Sequence, residues 1–308
     1  MKGLDLAERY FEHYGLPMLE QAFAAEHGRI AAGLVGDGSD CLGFDDKFSR
    51  DHDWGPGFCL WLDKSDYAAI GLRLQAAYDG LPKTFGGFAR HAGEWSAGRV
   101  GVLETGAFYR SFLGRPEAPG NLFEWLRIPE NSLAACTSGR VFRDPLGEFS
   151  WIRQQLLDYY PEDVRRARIA GRCMVVGQSA QYNFQRARWR DEAFVAQYAE
   201  TKFCSDAMAL VYLLNRRYAP YYKWLHRGIA GLPRLGPFMF DTVQTIATSH
   251  CQDEKQACID EICAAVIGEL QAEGLSDSNS RFLVDHGPSV HDRIADPDLR
   301  RLDILTAR

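Results

Sequence analysis

None of the eight cysteines forms a C-x-x-C pair, and only Cys251, Cys258 and Cys263 lie close together, on a stretch that reads as helix. Zinc sites built on cysteine need ligands clustered at short loop spacings, so no cysteine metal centre is expected. Buried free thiols in a reducing compartment account for the eight. Apolar runs of membrane-spanning length are absent too. A basic excess is also missing: Lys+Arg 35 stand against Asp+Glu 41, for a net charge of −6. That balance sets duplex nucleic acid aside as a partner. Lys2, Asp5 and Glu8 occupy positions where a signal peptide would carry its apolar core, so a cytoplasmic location is expected. No internal repeat or low-complexity tract interrupts the chain. What remains is 308 residues, 46% hydrophobic and 25% charged. Such a composition supplies a globular core of one large domain or two ordinary ones.

The first third mixes helix and strand. Leu6, Ala7, Tyr10, Phe11 and Tyr14 recur at helical spacing, and Pro17 can open a second short helix. Arg29 to Gly36 reads as a short buried strand, Phe58 to Leu62 as a second, and Arg99 to Phe108 as a third. Asp63 or Ser65 can cap a helix carrying Tyr67, Ile70, Leu74 and Tyr78, stopped at Gly80-Leu81-Pro82. From about Leu146 the pattern turns helical: one helix from Trp151, one opened by Pro161, a long one within 192–218 and another over 253–273. The expected class is α+β, a mixed sheet with helices followed by a helical bundle. The expected division is 1–144, 145–275 and a polar tail, 276–308, that wraps or frays.

Gly36 to Leu62 carries the chemistry: a strand, then Gly38-Ser39, an interval of eleven residues, Asp51-x-Asp53, and a second strand. Residues i and i+2 of a strand share a face, so the two carboxylates would project together. Side by side they repel unless a cation sits between them, and Mg²⁺ favours one or two carboxylates plus phosphate oxygens. Gly38-Ser39 can offer main-chain N–H groups and a hydroxyl to a phosphate. A phosphate cradle beside metal-binding carboxylates points to phosphoryl or nucleotidyl transfer.

Gly-Ser, about ten residues and Asp-x-Asp resemble the signature of the polymerase-beta-like nucleotidyltransferase superfamily. The longer string GDGSDCLGFDD-x-x-S-x-DHDWGPGF is similar to an uncharacterised bacterial family within it, a nucleotidyltransferase-like domain of unknown function. Leu214 to Leu225 (LNRRYAPYYKWL) more weakly resembles the helical domain of antibiotic nucleotidyltransferases. The resemblance implies that Asp51 and Asp53 bind Mg²⁺ (or Mn²⁺) with the triphosphate of an NTP, ATP first among them. It makes Glu104 the matching third carboxylate, as metal ligand or general base. Gly38 and Ser39 would hold the triphosphate. The acceptor would be a small molecule, aminoglycoside-like if cationic, with protein or tRNA behind it. Members of this kind can complete a site across a homodimer, in which case a base from the helical half would replace Glu104.

Other residues keep two readings. His52 would face away from the aspartates on a regular strand and reads as structural. Asp45 and Asp46 read as loop caps or supports of the metal shell. Arg186, Arg188 and Arg190 read as a solvated helix face. Lys223, among Tyr221, Tyr222 and Trp224, either snorkels over the core or reaches a phosphate. The rival to an enzyme is a nucleotide-binding sensor or partner protein that keeps the site without turnover. An all-helical metal phosphohydrolase built on His52-Asp53 is rejected, because that pair runs into Gly55-Pro56-Gly57 and a strand.

Overall fold

The computed structural model describes residues 1–50, 53–90 and 98–307. The chain is α+β. It begins with α1 (Gly3–Tyr10), which passes through a π-helical turn into α2 (Leu16–Ala22). Then come β1 (Ala31–Leu34), β2 (Cys59–Leu62), α3 (Lys64–Asp79), the short hairpin β3 (Thr84–Phe85) and β4 (Phe88–Ala89), β5 (Gly101–Glu104) and α4 (Thr105–Leu113). Next are α5 (Leu122–Arg127), α6 (Glu130–Thr137), β6 (Arg140–Arg143) and α7 (Glu148–Leu157). The remainder is helical: α8 (Glu162–Gly177), α9 (Gln185–Trp189), α10 (Ala193–Leu214), α11 (Tyr222–Ile229), α12 (Gly236–Thr248), α13 (Gln252–Ala272), α14 (His286–His291) and α15 (Pro297–Arg300). Contacts divide the chain into two compact units, Met1–Ala118 with Ser132–Asp158, and Pro119–Asn131 with Tyr159–Arg308.

In the first unit a four-stranded sheet has the order β5-β2-β1-β6. β1 is antiparallel to both neighbours, and β2 runs parallel to β5, with Leu62 opposite Glu104. All residues of β1 and β2 are buried, so these strands lack the polar alternation of a half-exposed sheet. Phe58 anchors one core cluster, its ring 5.0–5.6 Å from those of Tyr78, Phe11 and Tyr10. Trp61 stacks on Phe149 at 3.9 Å, tying α7 to the sheet. Asp63 caps α3 by accepting from the Asp66 N–H, as its position before the helix predicts.

One reading of the sequence changes here, and one strand is new. Arg99 to Phe108 is strand only over Gly101–Glu104; helix begins at Thr105, because Phe108 and Tyr109 pack with Phe149 from a helical face. The edge strand β6, with arginine at both ends, carries no clear two-residue alternation and is found only through its pairing with β1.

The second unit is built around α8, which buries apolar residues almost all round. Three arginines, Arg165, Arg168 and Arg172, lie among them. Arg165 reaches Glu162 at 3.0 Å, Glu273 at 2.6 Å and the Leu213 carbonyl at 2.9 Å. Arg168 donates to the Ile128 and Leu126 carbonyls and faces Glu130, while Arg172 pairs with Asp206 and Glu130. The tail is packed: Leu283, Val290, Ile294 and Leu299 are buried. His286, fully buried, sits between Ser276 Oγ at 2.8 Å and the Ser280 carbonyl at 2.9 Å.

Among the described residues no helix is long and apolar enough to cross a membrane. Seven of the eight cysteines are buried free thiols, Cys251 being the exposed one.

Candidate functional site

Several contacts fasten loop 35–58, between β1 and β2. Asp45 is the first. Its buried carboxylate accepts from the Gly3 N–H at 2.8 Å and from Trp54 Nε1 at 3.0 Å, with Lys2 Nζ 3.4 Å away. It therefore caps the first turn of α1 and pins the loop in one contact. Asp46 is the second, accepting from the Phe48 N–H at 2.8 Å to close the turn over Lys47–Arg50. Both act as caps, one of the two roles open to them from sequence.

Arg99 is the third. It stands two residues before β5, and its Nη2 meets Asp40 Oδ1 at 2.5 Å. Its Nη1 donates to the main-chain carbonyl of Asp53 at 2.8 Å. The guanidinium lies across Gly38, where a Cβ would fall 1.7 Å from Arg99 Nη2. Gly38 also has φ +138°, so glycine is required there on both counts. Arg90, just after β4, joins from the hairpin: Nη2 donates to the Asp53 carbonyl at 3.2 Å and Nη1 to the Gly55 carbonyl at 3.3 Å. A Cβ on Gly55 would lie 2.7 Å from the Ala89 carbonyl oxygen, so this glycine lets the hairpin approach.

Asp53 itself is unusual. It lies outside any strand, six residues before β2, with φ +55°. The expectation of two aspartates sharing a strand face is therefore corrected at Asp53, whose left-handed backbone breaks the two-residue alternation. Its Oδ1 is buried and has no hydrogen-bond partner among the described residues. A buried oxygen left unpaired costs about 1–3 kcal/mol, more when charged, and a cation would relieve it.

The charges around the loop are coupled. Burial lowers the affinity of Arg99 for its proton, but the carboxylates of Asp40 and Asp53 outweigh it and its pKa ends up raised. Arg90 is shifted down, first by burial and then by the neighbouring Arg99 charge. Asp37, between Gly36 and Gly38, is raised by desolvation against the pull of Arg99. The Cys59 thiol donates to the Arg99 carbonyl at 3.3 Å, and burial pushes its pKa up to about 12, which makes it inert as a nucleophile.

Of the residues singled out from sequence, Gly38 and Asp53 are brought together through Arg99. Ser39 lies in the same turn, its carbonyl accepting from the N–H groups of Phe44 at 2.7 Å and Asp45 at 3.1 Å. Asp51 and His52 lie outside the described residues. Glu104 is not brought to this end of the sheet. It closes β5 opposite Leu62, three residues beyond Gly101 and so about 10 Å along the strand from it. Lys223 belongs to the second unit, exposed in the first turn of α11 with its ammonium 5.0 Å from the Trp224 ring. Arg188 pairs with Asp253 at 2.7 Å and Arg186 stacks on Tyr182 at 3.9 Å, so two of the three arginines near 188 have partners.

Asp40, Arg90 and Arg99 were not singled out from sequence. The only signal was positional: Asp40 directly follows Gly38-Ser39, and the arginines flank 91–98 without any motif of their own. Among the described residues no group of three or more His, Cys, Asp or Glu side chains is placed to hold a metal ion. The fit to a divalent cation rests on Asp53 Oδ1, a buried acceptor with nothing to accept from.

Comparison with known proteins reaches the other half of the chain. Residues 125–225 match a family model described as "Domain of unknown function (DUF4037)". That stretch covers less than half of the chain and takes in Leu214 to Leu225 with Lys223; Gly38, Ser39, Asp51, Asp53 and Glu104 lie before it. It also supplies every residue lining a cavity of about 410 Å³ in the second unit, among them Glu130, Arg172, Ser205, Tyr221 and Tyr222. No curated protein matches the sequence. Among solved structures, a nucleotidyltransferase-like protein from Exiguobacterium sibiricum 255-15 aligns with a TM-score of 0.37 at 10% identity, covering 85% of this chain and 76% of that one.

Proposed function

We propose that the chain is a divalent-metal-dependent nucleotidyltransferase that moves a nucleoside monophosphate from an NTP to a hydroxyl of a small-molecule acceptor, with pyrophosphate as product. The observation that carries this is the buried, unpartnered carboxylate oxygen of Asp53, held beside Gly38 by Arg99. Asp51 and Asp53 would hold Mg²⁺ or Mn²⁺. When bound, the cation neutralises charge on the triphosphate and favours in-line attack at the α-phosphorus. Gly38 and Ser39 would receive the phosphate oxygens through their main-chain N–H groups and the Ser39 hydroxyl. In the transfer, the acceptor oxygen bonds to the α-phosphorus as the bond to the bridging oxygen breaks, and the hydroxyl proton passes to a base. ATP is the nucleotide we would try first. Lys223 is retained as a phosphate contact to be tested by substitution.

A second reading has its own observation. Glu104 sits about 10 Å along β5 from the end that carries Arg99, which leaves the base without an assigned residue. A nucleotide-binding sensor or partner protein needs no base.

Calorimetry with ATP, GTP, CTP and UTP in Mg²⁺ separates these readings from failure. One nucleotide should bind wild type in a metal-dependent way, and the Asp51→Asn/Asp53→Asn double variant should lose that binding. Release of pyrophosphate from the bound nucleotide with acceptor present selects the enzyme over the sensor. Binding that survives the double substitution sinks the metal assignment.

A further inference from the structure

We infer that Arg90 and Arg99 form a two-guanidinium bracket whose role is to hold Asp53 in a strained, cation-ready conformation. They act as positioning residues, through the main-chain carbonyl of Asp53 and not through its carboxylate. The inference rests on the metal-dependent reading above and extends it to residues outside the motif.

Three observations converge. Asp53 has φ +55°, a region that a residue with a Cβ enters at a cost. Its carbonyl oxygen takes two donors, Arg99 Nη1 at 2.8 Å and Arg90 Nη2 at 3.2 Å. Its Oδ1, in contrast, is buried with none. A chain left to itself would relax the backbone and turn the carboxylate toward a guanidinium. Here the outer nitrogens are engaged elsewhere: Arg99 Nη2 by Asp40, and Arg90 Nη1 by the Gly55 carbonyl. The carbonyl takes Arg99 Nη1 and Arg90 Nη2, Asp40 takes Arg99 Nη2, and the buried Arg99 Nε and Asp53 Oδ1 are both left without a hydrogen bond. The strain persists because two elements, the β3–β4 hairpin and the start of β5, over-determine the loop.

Charge and geometry give opposite expectations. On charge alone, removing a guanidinium beside a cation site lowers repulsion and tightens metal binding. If the bracket positions Asp53, removal weakens binding, by the tenfold to hundredfold usual for groups that orient a metal ligand. Lysine keeps the charge but loses the two-pronged fork.

The test titrates Mn²⁺, followed by its paramagnetic signal, into wild type, Arg90→Lys and Arg90→Met, with and without ATP. The expected order of affinity is wild type, then Lys, then Met, with Met weaker by about tenfold or more. Met binding as tightly as wild type, or more tightly, overturns the bracket while leaving the metal reading in place. Should Arg90→Met fail to fold, the comparison of wild type with Arg90→Lys decides, since charge is unchanged and equal affinity overturns the bracket. Absence of Mn²⁺ binding to wild type overturns the metal reading, and the inference with it. A metal-free measurement checks the strain: both Asp53→Gly and Asp53→Ala remove the carboxylate, and Gly should exceed Ala in Tm by about 3 °C, while equal Tm values would mean that the backbone at 53 is not strained.

Discussion

Both units bury arginine beside acidic residues, and they use the pairing differently. On α8 each of Arg165, Arg168 and Arg172 faces at least one carboxylate, with further main-chain acceptors for Arg165 and Arg168. At the loop before β2, Arg90 meets only main-chain carbonyls among the described residues, while Asp53 keeps an unpaired oxygen. In the α8 network every guanidinium meets a carboxylate, although Glu130 Oε1, Arg168 Nε and Arg172 Nε are buried without hydrogen bonds, so the contrast lies in the ion pairing and not in complete satisfaction. A buried carboxylate left over after the pairing is energetically unfavourable in the free protein and is offset only when something binds. The same residue types pair as ions on α8, while Arg90 at the loop meets main-chain oxygens among the described residues.

The contrast breaks first, and hardest, in the helical unit. Glu273→Ala removes the 2.6 Å partner of Arg165, a guanidinium 1% exposed, and should cost about 3 kcal/mol in urea unfolding. Gly139→Ala, in the first unit, combines φ +66° with a Cβ 2.0 Å from the Leu34 carbonyl oxygen, and about 2 kcal/mol is expected from the same measurement. Loss of the α3 cap in Asp63→Ala should cost about 1 kcal/mol. Against these losses stands the advantage of Asp53→Gly over Asp53→Ala, which isolates the backbone strain because both variants lose the carboxylate.

The smallest effect is a dependence on pH. Burial works to raise the Glu273 carboxyl, but hydrogen bonds and charge from Arg165 and Arg234 outweigh it, so its pKa is lowered on folding. The stabilisation is then full above the unfolded carboxylate value of about 4.3 and is lost as pH falls through the lower folded value. Tm measured from about pH 6 down to about pH 3 should fall less steeply for Glu273→Gln than for wild type.

The legible parts of the sequence were those fixed by local pattern. β1, β2 and α3 follow from apolar runs, a cap at Asp63 and a stop at Gly80. The helices of the second half follow from spacing and from Pro161 ahead of α8. Gly38 and Asp53 were visible as a motif. What holds them was not, because Arg99 is distant in sequence from both and no spacing links them. Nor was the left-handed turn at Asp53, which tertiary contacts impose against the local preference for strand. Glu104 was chosen by its place in a motif, and its position depends on where β5 begins, which the run from Arg99 to Phe108 left open.

Asp45 has a consequence for how the molecule assembles. Its bond to the Gly3 N–H closes a separation of 42 residues, and the Arg99–Asp40 bond closes one of 59. Loop closures of this length carry an entropic cost before any contact repays it. The loop around Gly38 can lock only after α1, the hairpin and β5 have met, so in refolding it should acquire protection from hydrogen exchange later than α3, whose main-chain bonds are all short-range. The closed form of this loop would then be the last feature the first unit gains.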